Sequence, residues 1–139
     1  MFLEAKNALV FKKGNETLMI EPWGANSFRV RSTMEPNFID RDWALTEKIN
    51  HGNAKVSVTE NGASIINGKI EAKVNNNGII TFFKDGVKIL HEYHRSYDPS
   101  ATKESCCTKV INRQWQGIIG GDYKLSVRFE SNDSEKIFG

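Results

Sequence analysis

Apolar and polar side chains alternate with a period of two along much of this chain. Phe28, Val30 and Ser32 alternate with Arg29, Arg31 and Thr33, and Val56 and Val58 with Lys55, Ser57 and Thr59. Ile70, Ala72 and Val74 alternate with Lys69, Glu71 and Lys73. Tyr123, Leu125, Val127 and Phe129 alternate with Lys124, Ser126 and Arg128. Successive side chains of a strand point to opposite faces, so each run predicts a half-buried antiparallel strand. Ile79-Ile80-Thr81-Phe82-Phe83 is apolar on both faces and is predicted to lie inside a sheet.

Turn chemistry falls between these runs. Asn61-Gly62, Asn67-Gly68, Asn77-Gly78 and Asp85-Gly86 are dipeptides that accept the positive φ of tight hairpins, and Gly120-Gly121 marks another break. Residues 54–93 therefore read as a meander of short strands. Helical periodicity is almost absent. Residues 36–48 read as a long irregular loop with at most a helical turn. Many short strands with glycine turns predict an all-β fold, a two-sheet antiparallel β-sandwich. Two packed sheets are needed to cover this many apolar faces. Neither a repeat nor a linker interrupts the pattern, so a single domain over residues 1–139 is expected.

Composition narrows the partners. With 39% apolar and 26% charged residues the chain is globular rather than disordered, and its 139 residues suffice for a core. Nineteen basic against 17 acidic side chains leave a net charge of +2, too even for a phosphate-binding surface. Nucleic acid is not an expected partner. No segment approaches the roughly 18 apolar residues of a membrane-spanning helix, and the opening residues lack the apolar stretch of a signal peptide. The two cysteines, Cys106 and Cys107, are neighbours and poorly placed to bridge each other, which excludes a disulfide framework and points to the cytoplasm.

Several residues could carry chemistry. His91 and His94 are three apart on an expected strand, so they face opposite ways and read as structural rather than metal-binding. Cys106 and Cys107 read the same way, lacking an evident cationic setting that would favour the thiolate. A glycosidase needs two carboxyl groups facing each other across a sugar. Asp40, Asp42, Glu47, Glu92, Asp98 and Glu104 are available, but spacing along the chain does not set such a distance. Flat aromatic faces can stack on sugar rings. Trp23 and Trp115 read as core fillers, whereas Trp43 lies in the polar 36–48 loop with less reason to be buried.

The block Ile20-Glu21-Pro22-Trp23-Gly24-Ala25-Asn26-Ser27-Phe28-Arg29-Val30-Arg31 resembles the N-terminal domain of glycoside hydrolase family 31, which includes α-glucosidases and α-xylosidases. Gly68-Lys69-Ile70-Glu71-Ala72-Lys73-Val74 followed by Gly78-Ile79-Ile80-Thr81-Phe82-Phe83 resembles that domain's central hairpin. Gly120-Gly121-Asp122-Tyr123-Lys124-Leu125-Ser126-Val127-Arg128-Phe129-Glu130 resembles the strand leading out of it. Residues 131–139 resemble the segment that runs on toward the catalytic barrel.

The resemblance implies a galactose-mutarotase-like β-sandwich at the front of a longer chain, packed on its own (β/α)8 barrel. It implies a retaining α-glycosidase acting on α-linked oligosaccharides, glucosides or xylosides, with both catalytic acids in the barrel. No catalytic residue, metal or cofactor is carried over to these 139 residues, and the chain alone is expected to be inactive. The family's domain lends a loop to the first sugar subsite. Here the 36–48 loop is the candidate, with Asp40, Arg41, Asp42 and Trp43 as substrate contacts. Three other readings stay open: a stand-alone carbohydrate-binding module, an active mutarotase, and a structural sandwich without ligand. A sheet face left bare could also make the isolated chain a homo-oligomer.

Overall fold

The computed structural model describes residues 1–39, 53–100 and 108–130. They contain eleven β-strands and no helix: β1 (Phe2–Ala5), β2 (Ala8–Lys13), β3 (Glu16–Pro22), β4 (Phe28–Thr33), β5 (Lys55–Thr59), β6 (Gly62–Asn67), β7 (Ile70–Asn75), β8 (Ile80–Lys84), β9 (Val87–His91), β10 (Arg113–Gly117) and β11 (Tyr123–Val127). The chain divides into two compact units, Met1–Ile89 and Leu90–Gly139.

The first unit is a sandwich. One sheet runs β1-β2-β3-β4 and the other β5-β6-β7-β8-β9, each strand beside its sequence neighbour. The second sheet is the meander the turn dipeptides predict. Asp85 and Gly86 both adopt positive φ, 48° and 80°, which closes the β8–β9 hairpin without splaying its strands. Between the sheets, Leu9, Phe11, Leu18 and Ile20 of the first pack with Ala63, Ile65, Ala72, Val74 and Ile80 of the second in one buried cluster. Ala72 and Val74 face this core while Lys73 points to solvent, as the alternation predicts.

Two features depart from the expected faces. Val30 and Val58 sit opposite Ile20 and Ala63, on the core side of their sheets, yet both are about half exposed. They lie on β4 and β5, end strands with a neighbour on one side only. Strand β2 carries no alternation at all. Ala8, Leu9, Val10 and Phe11 are all buried, because both faces of this inner strand are covered.

The second unit is built on a two-stranded antiparallel ribbon, β10 and β11, in which Trp115 opposes Leu125 and Gly117 opposes Tyr123. Bridges Glu92 to Phe129 and Arg95 to Val110 extend it. Alternation over residues 123–129 is present, but Tyr123, Val127 and Phe129 are each about half exposed rather than in a core.

Candidate functional site

The block that carries the family resemblance is held in place by one side chain. Pro22 ends β3, and the chain turns through Trp23-Gly24-Ala25-Asn26-Ser27, closed by a 2.9 Å bond from the Trp23 amide to the Ser27 carbonyl. The Ser27 hydroxyl also donates to the Trp23 carbonyl. Asn67, buried at the end of β6, donates its amide to the carbonyls of Gly24 at 2.9 Å and Ser27 at 2.8 Å. Asn26 answers by accepting from the Lys69 amide at 2.8 Å. Turns from the two sheets are thereby clasped together. Gly68 adopts φ +61°, and a Cβ there would stand 2.3 Å from Asn26 Oδ1 and 2.4 Å from the Ala25 carbonyl oxygen. Only glycine fits so close a crossing.

Beyond the turn, the outward residues of β4 form a charged cluster with β3. Arg31 Nε lies 3.1 Å and Arg29 Nε 3.6 Å from Glu21 Oε1, all three side chains about four-fifths buried. Each guanidinium also covers a ring: Arg29 sits 5.2 Å from the Trp23 centroid and Arg31 4.9 Å from that of Phe38. Cation–π contact of this kind is worth about 0.5–2 kcal/mol depending on solvation. Trp23 is therefore a half-buried partner of arginine and not a core filler, because the turn carries it to the rim of the sandwich. Arg31 fixes Phe38, at the root of the loop nominated for sugar contact. The nominated residues themselves, Asp40, Arg41, Asp42 and Trp43, lie outside the described residues, as do Glu47, Cys106, Cys107 and Glu104.

The remaining candidates take structural places. Glu92 is buried at 2% exposure, with both carboxylate oxygens bound by Arg113 Nη1 at 2.7 and 2.6 Å and a further bond from Asn112 Nδ2 at 2.7 Å. A carboxylate so enclosed is a structural anchor. The sequence does not mark Arg113 or Asn112 as its partners, since they lie about twenty positions away. His91 Nε2 stands 3.9 Å from Glu130 Oε1, and the Glu130 amide donates to the His91 carbonyl. Asp98 is exposed, and bonds from the Ser100 hydroxyl at 2.7 Å and the Ser100 amide at 2.9 Å hold its carboxyl below the ordinary aspartate value. Among the described residues no group of three His, Cys, Asp or Glu side chains could hold a metal ion. Trp115 is half-buried, with its ring edge-on to Tyr123 at 6.2 Å, and stands outside the core cluster.

One open depression takes in a polar row. Ser57, Ser64, Lys73 and Thr81 stand opposite one another across β5, β6, β7 and β8 on the outward face, forming a row of three hydroxyls and an ammonium. Glu71 flanks the row and lies 3.5 Å from Lys73 Nζ. Such a row can donate to and accept from a polyol.

Comparison with known proteins gives the geometry a context. No family model matches the chain. An uncharacterized family 31 glucosidase, ORF2, of Pseudescherichia vulneris is 30% identical over 148 residues, covering 99% of this chain and 27% of that protein. The crystal structure of a family 31 α-xylosidase from a soil metagenome, complexed with xylose, superposes with a TM-score of 0.82 at 35% identity, covering 96% of this chain and 21% of that one. The chain thus spans about a quarter and about a fifth of these two relatives. A β-sandwich that aligns almost end to end with a fraction of two glycosidases is homologous to a domain of such enzymes. That kinship is with glycoside hydrolase family 31, in agreement with the sequence blocks at Ile20, Gly68 and Gly120.

Proposed function

We propose that residues 1–139 form the N-terminal, non-catalytic domain of a retaining family 31 α-glycosidase, packed on a (β/α)8 barrel that carries both catalytic acids. The observation that supports this most is the match of nearly the whole chain to a small share of two such enzymes. In such an enzyme an aspartate attacks the sugar carbon while a second acid protonates the leaving oxygen. Active sites of barrels form at the carboxyl ends of their strands. The role of this domain is then to support the barrel, with α-glucosides or α-xylosides as the substrates.

The 36–48 segment is the part we assign to the first sugar subsite, with Asp40, Arg41, Asp42 and Trp43 as contacts. Arg31 and Phe38 support this reading by anchoring the root of the segment. A hybrid tests it: this chain replaces the matching segment of the soil-metagenome α-xylosidase, and hydrolysis of aryl α-xylosides and α-glucosides is followed. The hybrid is expected to be active and the chain alone inactive. Trp43→Ala and Asp42→Ala are expected to raise KM. An active hybrid whose KM and kcat ignore both substitutions would remove the segment from the subsite.

A second reading is favoured by the polar row at Ser57, Ser64, Lys73 and Thr81. On it, the chain holds an oligosaccharide by itself, as a carbohydrate-binding module. Calorimetric titration of the isolated chain with maltose and xylose oligomers would show heat lost on Lys73→Met, whereas absence of heat would leave the first reading alone.

A further inference from the structure

The second unit carries an apolar hairpin. Between β10 and β11, residues 118–122 form a short hairpin loop closed by the Ile118 amide on the Asp122 carbonyl at 3.0 Å and the Gly121 amide on the Ile118 carbonyl at 3.3 Å. Polar residues usually occupy such tips. This one carries Ile118, half exposed, and Ile119, at 106% exposure. Along the adjoining strand and just beyond its end, Tyr123, Val127 and Phe129 are exposed by 47%, 40% and 46%, and Trp115 braces Tyr123 edge-on. Gln114, Gln116, Lys124 and Ser126 occupy the alternate positions, and the one charged residue paired on the apolar face, Arg113 opposite Val127, is buried against Glu92. Single exposed apolar residues are ordinary, but a contiguous group on one ordered hairpin marks a contact surface. A two-stranded ribbon is also marginal without a covering layer.

The geometry points to this hairpin, with Ile118 and Ile119 at its tip, Tyr123 and Val127 on β11 and Phe129 just beyond it, as the surface on which the chain docks to the rest of its family 31 polypeptide. The inference rests on the proposed function. Its occupant is argued from length: the chain matches 27% and 21% of two relatives, so most of each enzyme lies outside the matched part and is available as a covering layer. Burying an isoleucine side chain is enough to shift a docking equilibrium by roughly tenfold or more.

The test uses the free chain and the hybrid described above. Hydroxyl-radical footprinting reads the modification of Ile119, Tyr123 and Phe129 in each. Docking predicts several-fold protection in the hybrid. It also predicts that Ile119→Asp shortens the hybrid's half-life at elevated temperature by about tenfold while the melting of the free chain is unchanged, since that side chain touches little in it. Equal modification in both proteins, with an active hybrid, overturns the docking surface and leaves the domain assignment standing. Protection in the free chain that grows with concentration, together with dimers by light scattering, assigns the hairpin to a second copy and overturns it as well. A hybrid that is inactive without any substitution overturns the domain assignment and the docking surface together.

Discussion

Asn67 Nδ2 donates to the carbonyls of both Gly24 and Ser27, at 2.9 and 2.8 Å, across 43 and 40 residues of chain. One buried amide thereby closes the turn of the first sheet on the last residue of β6. Asn67→Ala removes both bonds, leaving the Gly24 carbonyl without its amide donor and the Ser27 carbonyl with the Trp23 amide alone. The expected loss is about 2–3 kcal/mol, from the net value of two hydrogen bonds and the desolvation left behind. Asn67→Asp is expected to be worse, because an acceptor would then face two carbonyl oxygens. Urea denaturation followed by tryptophan fluorescence measures both, and an alanine variant as stable as the parent would deny the clasp its role.

The same crossing makes a prediction about backbone. Gly68 and Gly86 both have positive φ, +61° and +80°, so alanine is strained at either. That strain costs about 1–2 kcal/mol. At Gly86 nothing lies within 4 Å of the added Cβ, whereas at Gly68 it meets Asn26 and the Ala25 carbonyl below 2.5 Å. Gly68→Ala is therefore expected to lower the melting temperature clearly more than Gly86→Ala. Equal effects in thermal denaturation would mean that conformation, and not the close approach, fixes glycine at 68.

How far these features can be read from residues alone differs by kind. The Ile70–Asn75 alternation and the Asp85-Gly86 turn are local, and the sequence displays both. Strand β2 escapes because Ala8 to Phe11 is apolar on both faces, which leaves no period to detect. Asn67 looks like an ordinary turn residue, since its two acceptors lie 43 and 40 positions away. The alternation of Tyr123, Val127 and Phe129 identifies an apolar face, yet alternation does not say whether the covering layer belongs to the same stretch of chain. The sugar-contact candidates rest on the resemblance and on loop composition, and the described residues supply the root at Phe38 without the tip.

Asp98 offers a pH test. The Ser100 hydroxyl, and after it the Ser100 amide, favour the charged carboxylate and lower its pKa. A depressed folded pKa contributes stability above the unfolded value and loses it as pH falls through the folded one. The group is fully exposed, so the contribution is small. Ser100→Ala is expected to move the Asp98 titration upward while the Ser100 amide bond keeps it from returning entirely. A carboxyl NMR titration reads this directly, and an unmoved midpoint would contradict the hydroxyl as the main cause.

The buried pair Glu92–Arg113 gives the sharpest energetic prediction. At 2% and 8% exposure, with contacts of 2.6 and 2.7 Å, each charge depends on the other for the solvation it has lost. Removing one partner leaves the other buried and uncompensated, which costs about 3–5 kcal/mol. Arg113→Met and Glu92→Leu should each destabilise the protein by that order. The double variant should recover much of the loss, because two apolar side chains of similar volume carry no desolvation penalty. Asn112 limits the recovery: its amide donates to Glu92 Oε2 and would be left without an acceptor. Adding Asn112→Leu is thus expected to recover more. A double-mutant cycle in urea measures the coupling, and simple additivity of the two single losses would show that the pair does not act as a unit.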